Sequence, residues 1–197
     1  MFRVDINFAD VGYHSYENPH WVLIGMICIK CKRYGTFVRP NIIGDILHIG
    51  AMIIGQNPGY YPNAKNLTYV TMDGEGHSYT CDLIQACIKD FTNIYLTNVV
   101  KCVNREKINN DNIMDCSELY LTVEMTFIKP KVIICLGRVA YDSVSAIKDV
   151  LNLQCEVILF DHPGYLQRNN ISEHDPKYLD YVTNFREVLE HYEQNAK

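Results

Sequence analysis

The most informative segment of this 197-residue chain is KPKVIICLGR, residues 129–138. Five apolar residues run from Val132 to Leu136, between Pro130 and Gly137. A short apolar run bounded by a proline and a glycine predicts a strand that is buried on both faces, as in a parallel sheet. The residues on either side have helical spacing of their apolar positions. This segment therefore predicts a helix, a buried strand and a second helix in succession.

Similar apolar runs alternate with helical stretches along the rest of the chain. The predicted strands are residues 51–54, 93–100, 131–136 and 155–160. The predicted helices are residues 80–91, 111–128, 138–149 and 174–193. In the second helix, one apolar face is formed by Ile113, Cys116, Tyr120, Val123 and Phe127. Strands that alternate with helices predict βαβ units. The expected fold is α/β, a three-layer α/β/α sandwich with a central, mainly parallel four-stranded sheet, in one domain over residues 1–197.

The composition is that of an ordinary globular protein, with 48% hydrophobic and 21% charged residues and a net charge of −5. No stretch approaches the roughly 18 unbroken apolar residues that a membrane span needs, and the N-terminus lacks the apolar core of a signal peptide. We expect a soluble, intracellular monomer without a membrane partner. In that setting the eight cysteines do not indicate disulfides.

Polar residues follow the predicted strands at the edge where parallel α/β sheets bind ligands. The turn Gly55-Gln56-Asn57-Pro58-Gly59 follows the first strand, Asn98 stands at the end of the second, and His162 follows the fourth. An asparagine amide offers both a donor and an acceptor, as the edge of a nucleobase demands. The sequence contains no Gly-x-Gly-x-x-Gly after a strand, no Gly-Lys-Ser/Thr loop and no serine elbow. These absences argue against a dinucleotide site, a phosphate loop and a serine hydrolase.

Several blocks then form an ordered set. They are YLTNVVKC at residues 95–102, Cys116, KPKVIICLG at 129–137 and HPGYLQRN at 162–169. This set resembles the iron–sulfur uracil-DNA glycosylases called family 4, over about residues 28–185. The turn Gly55–Gly59 instead resembles that of the mismatch-specific uracil and thymine glycosylases, which carry an asparagine where this chain has Asn57. The resemblance implies a DNA glycosylase of base-excision repair whose partner is DNA containing uracil or a modified base.

The resemblance also implies roles for individual residues. The implied catalytic residues are Asn57, which would position a water molecule, and His162, which would donate a hydrogen bond to the base. The implied base-binding residues are Gly55, Gln56, Tyr79 and Asn98, with Tyr79 stacking on the flipped base. The implied DNA contacts are Lys101 and Arg168 to phosphates, and Leu166 with Tyr165 in the gap that the base leaves. These motifs hold no candidate lysine nucleophile, so we expect hydrolysis without strand cleavage.

Four cysteines match the positions where the family holds its cluster: Cys28, Cys31, Cys102 and Cys116. The resemblance implies a 4Fe–4S cluster, which takes four thiolates. Zinc also accepts four cysteines, and the sequence leaves it open as the alternative. The implied role of the cluster is to hold loops near DNA, without redox catalysis.

Three other functions stay open at this point. One is a glycosylase for a modified base other than uracil. Another is a catalytically silent iron–sulfur relative that binds DNA, in which Asn57 and His162 would be expendable. The third is a zinc-stabilised interaction domain without affinity for DNA.

Overall fold

A computed structural model describes residues 36–38, 40–59, 78–103 and 108–194 of the chain. The predicted cluster ligands Cys28 and Cys31 lie outside these residues. The strands are β1 (Thr36–Phe37), β2 (Asn41–Ile43), β3 (Ala51–Gly55), β4 (Ile94–Asn98), β5 (Cys102–Val103), β6 (Val132–Leu136) and β7 (Glu156–Phe160). The α-helices are α1 (Tyr79–Ile88), α2 (Asn110–Cys116), α3 (Thr122–Ile128), α4 (Arg138–Leu151), α5 (Pro163–Arg168) and α6 (Pro176–Gln194). None of the helices in these ranges is long and apolar enough to span a bilayer.

The central sheet has the strand order β2-β4-β3-β6-β7. Strands β4, β3, β6 and β7 are parallel, and β2 pairs antiparallel with β4 at one edge. From β3 the chain crosses through α1 to β4 on one side, and from β6 it crosses through α4 to β7 on the other. The two crossovers thus lead away from each other, starting from the neighbouring strands β3 and β6. In such sheets a ligand crevice lies at the carboxyl ends of the two strands where the direction changes.

Helices cover both faces of the sheet, as the alternation of side chains along each strand requires. On one face, Ile53 of β3 and Ile134 of β6 pack in a core with Leu83 of α1 and Phe185 of α6. On the other face the core is formed by Met52, Ile54, Tyr95, Ile133 and Cys135 with Leu121, Met125, Ala140 and Val144. The three-layer sandwich is confirmed.

The four predicted strands are confirmed as the parallel strands, and the sheet contains one strand more than the predicted four. The additional strand is β2, whose three residues are too few to show a period. Strands β1 and β5 form a separate two-stranded ladder, in which Phe37 pairs with Cys102. The short helix α5 was also missed, because Pro163 at its first position marks a turn as readily as a helix start.

The predicted helix 111–128 is present as α2 and α3, joined by a π-helical turn over Ser117–Leu121. A π turn holds one residue more than an α turn, so the buried face beyond it shifts by one residue, or about 100°. Met125 is therefore buried, whereas Phe127, predicted to lie on the apolar face, is 43% exposed. The same shift turns Glu124 into the protein interior.

Candidate active site

The polar residues that follow the parallel strands lie along one edge of the sheet. Gly55 at the end of β3 pairs in register with Asn98 at the end of β4. Leu136 at the end of β6 pairs with Phe160 of β7, two residues before His162. Three strand spacings of about 4.8 Å separate the ends of β4 and β7 by roughly 14 Å. A planar base and the side chains that bind its two edges fit within that span.

The turn after β3 is held against the turn after β4 by two backbone hydrogen bonds. The N–H of Val99 donates to the carbonyl of Gly55, and the N–H of Val100 donates to that of Gln56, each at 2.9 Å. Asn57 is half-buried, and its Nδ2 donates to the Pro58 carbonyl at 2.9 Å. This bond fixes the amide with Oδ1 as the atom that can accept a hydrogen bond from a ligand or water.

Asn98 carries an unsatisfied polar atom inside the protein. The residue is 3% exposed, and its Oδ1 has no hydrogen-bond partner among the described residues. An unsatisfied buried acceptor costs roughly 1–3 kcal/mol, so such atoms are few in folded proteins. Among the described residues the Tyr95 and Ser117 hydroxyls are in the same state, and Asn98 is the one of the three that stands at a strand end of this edge. An asparagine in this state can bind the edge of a ligand that supplies an N–H.

Lys101 is buried, at 1% exposure, in a network that uses all three protons of its ammonium group. Nζ donates to Thr97 Oγ1 at 2.7 Å, to the Asn98 carbonyl at 2.5 Å and to Glu124 Oε2 at 2.5 Å. Thr97 Oγ1 in turn donates to Glu124 Oε1 at 3.2 Å and closes a ring. Burial lowers the pKa of Lys101, and the Glu124 carboxylate opposes that shift.

The prediction that Lys101 contacts a DNA phosphate is therefore wrong for this structure, since its ammonium group points inward and is fully bonded. The sequence analysis also missed Thr97 and Glu124. Helical periodicity gave no signal for Glu124, because the π turn alone moves it into the interior. A lysine in the apolar run Val99-Val100-Lys101-Cys102 was the available signal, since a buried lysine requires an acidic partner.

His162 is the N-cap residue of α5, and its ring is held in one orientation. Its Nδ1 accepts a hydrogen bond from the N–H of Gly164 at 3.0 Å. Burial lowers the pKa of His162, and the positive charge of Arg168 lowers it further. A neutral ring whose Nδ1 accepts must carry its proton on Nε2. His162 therefore presents an Nε2–H donor.

Gly137, which follows β6, leaves room for His162. Its φ is 92° and its ψ is 166°, a backbone conformation that residues other than glycine rarely adopt. A Cβ at this position would lie 3.2 Å from His162 Cβ. Its N–H also donates to the Phe160 carbonyl at 2.8 Å, which ties the end of β6 to β7.

Helix α5 contains the other three residues predicted to contact DNA. Leu166 is 4% exposed and packs in the core with α1 and α6, so the prediction that it fills a gap in DNA is wrong for this structure. Tyr165 is 50% exposed and Arg168 is exposed. The sequence analysis assigned no helix to these residues, and the helical twist of α5 turns Leu166 inward and Tyr165 outward.

Tyr79 is the first residue of α1 and is half-buried. Its hydroxyl donates to the Ile171 carbonyl at 2.7 Å, and its ring meets the edge of Tyr178 at 6.3 Å between centroids. Burial raises the pKa of Tyr79. These contacts join α1 to the segment after α5, and the stacking role of Tyr79 stays a prediction.

Two of the four predicted cluster ligands can be located. Cys102 lies in β5 and Cys116 ends α2, and both are buried. The two buried thiols are the kind of donor that a four-thiolate site takes. Cys28 and Cys31 lie outside the described residues, and those residues alone contain no group of three or more potential metal ligands.

Comparisons with known proteins give the family of the chain. Residues 43–189 match the family described as the uracil DNA glycosylase superfamily. A protein of Saccharolobus solfataricus named type-4 uracil-DNA glycosylase is 30% identical over 134 residues, covering 66% of this chain and 59% of the relative. A protein of Archaeoglobus fulgidus with the same name is 28% identical over 119 residues, covering 58% of this chain and 57% of the relative.

The chain thus spans less than two thirds of the length of these curated relatives. The family match extends from Ile43, the last residue of β2, to Leu189 within α6, and it includes every strand end that forms the candidate site. Because that match covers well over half of its residues, this chain belongs to the uracil DNA glycosylase superfamily.

Proposed function

We propose that this protein is a uracil-DNA glycosylase of base-excision repair, which hydrolyses the bond between uracil and deoxyribose and leaves an abasic site. The observation that carries the proposal is the pair formed by Asn98 and His162 across the carboxyl edge of the sheet. One offers a buried acceptor without a partner, and the other a neutral imidazole with its proton on Nε2.

Recognition of uracil follows from the chemistry of Asn98. A base inside a duplex is out of reach, so the nucleotide is extruded into the crevice at a cost of roughly a few kcal/mol. Asn98 Oδ1 accepts from N3–H of uracil, and Nδ2 donates to O4. Cytosine presents an acceptor at N3 and a donor at N4, so the same amide orientation meets two mismatched groups.

Bond cleavage places negative charge on the departing base and positive charge on the sugar. The electrons of the C1′–N1 bond move to uracil, where O2 carries much of the charge. His162 Nε2–H donates to O2, and the backbone N–H of Gln56 adds a second donor. A donor aimed at developing charge is worth about 2.7–4 kcal/mol.

Water completes the reaction at C1′ of the sugar. Asn57 Oδ1 accepts a hydrogen bond from this water and positions it, since an amide is too weak a base to remove the proton. The proton passes to solvent, and the uracil anion is protonated there. Lys101 is held by Glu124 and cannot form a Schiff base with C1′, so the product is an abasic site with an intact strand.

The exposed side of α5 is the proposed DNA contact. Tyr165 is the residue we assign to the gap left by the flipped base, in place of Leu166. Arg168 supplies a phosphate contact, which fixes position without reading sequence. The protein acts on DNA as an intracellular monomer in this proposal, and light scattering with and without an oligonucleotide tests the oligomeric state.

Uracil excision is tested with a labelled oligonucleotide that contains one uracil, followed by alkaline cleavage of abasic sites. We expect product with the unmodified protein, and a loss of at least about 100-fold in kcat for Asn57→Ala and for His162→Ala, because each removes a group used in the transition state. Both variants should retain DNA affinity.

Matched controls separate chemistry from general damage. Asn184→Ala and His174→Ala change the same residue types at exposed positions, and kcat should stay at the unmodified level. Uracil excision that survives in Asn57→Ala and His162→Ala would contradict the roles given to these residues. DNA binding without excision of any base tested would instead favour a catalytically silent relative.

We further propose that Cys28, Cys31, Cys102 and Cys116 hold a 4Fe–4S cluster. Four thiolates are the ligand set of such clusters, and burial of Cys102 and Cys116 suits a site closed to solvent. When bound, the cluster supplies a structural crosslink between the N-terminal segment, β5 and α2. The chain itself supplies the groups that read and cleave the nucleotide.

Metal analysis tests this cofactor. Anaerobically purified protein should be brown and contain four irons per chain, and Cys102→Ala or Cys116→Ala should lose iron and lower the melting temperature. Cys155→Ala, at a half-buried position outside the proposed set, should retain the iron. A colourless protein with one zinc per chain would show that the four cysteines bind zinc and not the cluster.

A further inference from the structure

The buried ammonium group of Lys101 lies directly beneath the strand end that reads the base. We propose that Lys101 is a positioning residue, which holds Asn98 and the backbone of Gln56 in the positions that the transition state requires. This inference rests on the proposed function. Lys101 touches neither substrate nor reacting atoms. Its contact with the Asn98 carbonyl, at 2.5 Å, is the bond that performs this role.

The network around Lys101 leaves the ammonium no freedom to move. Each proton has one acceptor, on Thr97, Asn98 and Glu124, and the Thr97 hydroxyl bridges back to the carboxylate. A fully satisfied buried network is rigid, because every rearrangement breaks a hydrogen bond in a medium of low dielectric constant. The peptide that carries the Asn98 side chain is therefore held in one place.

The same restraint extends to the turn after β3. Val99 and Val100 follow Asn98 directly, and their N–H groups donate to the carbonyls of Gly55 and Gln56. The segment from Asn98 to Lys101 is thus bonded on one side to Thr97 and Glu124 and on the other to the turn after β3. Loss of the ammonium group releases Asn98 first and the Gln56 peptide second.

The partner of the lysine depends on the π turn. Without the extra residue in Ser117–Leu121, Glu124 would point about 100° away from the network. Helix α2 ends at Cys116, and the π turn connects it to α3, which carries Glu124. Through Glu124 these helices are joined to the end of β4 that carries Asn98. This junction links the proposed ligand Cys116 to the position of Asn98.

Stability alone does not account for this arrangement. A buried ion pair is often replaced by apolar residues of similar volume with no loss of stability, because desolvation offsets the attraction between the charges. A methionine at position 101, however, has no proton for the Asn98 carbonyl. Removing both charges thus separates the positioning role from the stabilising one.

The first variant is Lys101→Met with Glu124→Gln, which removes both charges and keeps an acceptor for Thr97. We expect kcat for uracil excision to fall about 10- to 100-fold, as for a misplaced group near a reacting centre, with KM changed less than about threefold. Hydrogen exchange at the Val99 and Val100 amides should accelerate. If this variant fails to fold, Lys101→Met with Glu124→Leu takes its place.

The control is Arg186→Met with Asp90→Asn. It removes a partly exposed ion pair between α6 and Asp90, which follows α1; its atoms are 2.7 Å apart on the opposite face of the sheet. This variant should keep the unmodified kcat and the unmodified exchange at Val99 and Val100. An equal loss in both variants would overturn the proposal.

A charge swap, Lys101→Glu with Glu124→Lys, keeps opposite charges but places an acceptor beside the Asn98 carbonyl. Positioning predicts that kcat stays low, whereas recovery of kcat in the swap would show that the ion pair alone matters and would overturn the proposal.

Hydrogen exchange and a crystal structure of the unmodified protein need no substrate. If uracil excision is absent, the proposed function fails by itself, and a Lys101 Nζ more than 3.5 Å from the Asn98 carbonyl would overturn this inference separately.

Discussion

Replacing Gly137 by alanine adds one methyl group to the wall of the crevice, and its cost has two parts. The first part is backbone strain, because a φ of 92° with a ψ of 166° is tolerated by glycine and almost no other residue. Such a conformation costs about 1–3 kcal/mol. In a protein of this size the melting temperature should fall by roughly 2–12 °C.

The second part falls on His162. The new Cβ would lie 3.2 Å from His162 Cβ, whereas carbon atoms prefer about 3.5–4.0 Å. The histidine must therefore retreat by about 0.3–0.8 Å, which lengthens an ideal donor–acceptor distance of about 2.9 Å to about 3.2–3.7 Å, from the upper limit of a hydrogen bond to beyond it. Because a donor to the departing base is worth about 2.7–4 kcal/mol, we expect kcat to fall about 10- to 100-fold.

The assay is single-turnover excision of uracil from a labelled duplex, with thermal unfolding measured on the same samples. Gly50→Ala is the control, because a Cβ at that position meets no atom within 4 Å and its φ is ordinary. It should leave both kcat and the melting temperature nearly unchanged. An unchanged kcat in a destabilised Gly137→Ala protein would refute the link between Gly137, His162 and catalysis.

Three further predictions concern α5 and its N-cap. Excision should hold down through about pH 6.5, the ordinary pKa of histidine, and fall only at a lower pH, because the pKa of His162 is lowered and its neutral form alone can accept from the N–H of Gly164; a pH profile of kcat/KM that is flat to pH 4 would contradict this. Tyr165→Ala should weaken excision from duplex DNA without changing stability, whereas Leu166→Ala should destabilise by about 2–5 kcal/mol, as unfolding in urea measures. Arg168→Ala should reduce the slope of log K against log salt by about one, and an unchanged slope would exclude a phosphate contact.

The four parallel strands could be predicted because each is a short apolar run with its own boundaries. A strand that is buried on both faces appears in the sequence as an unbroken apolar run, such as Val132–Leu136. The edge of the sheet that binds ligands then follows from the order of strands and helices. Asn57, Asn98 and His162 could be found in the same way, since each stands next to such a strand. Their roles in excision stay predictions.

Other features depended on packing between distant segments. Periodicity extrapolates a uniform α-helix, so it could not foresee the π turn that buries Glu124 and exposes Phe127. A lysine near a proposed DNA site suggests a phosphate contact until its partner, 23 residues away in sequence, is known.

The fold class, the edge of the sheet that carries the site, and the family could all be inferred from the amino-acid sequence, because hydrophobic pattern and ordered motifs are local properties of the chain. Which polar groups lie at the crevice and which are bonded inside the protein became clear only from the folded chain. Folding turned Lys101 and Leu166 inward and left Tyr165 exposed. The physical reason is that the burial of a side chain is set by the neighbours that desolvate it, and those neighbours come from helices and strands far apart in sequence.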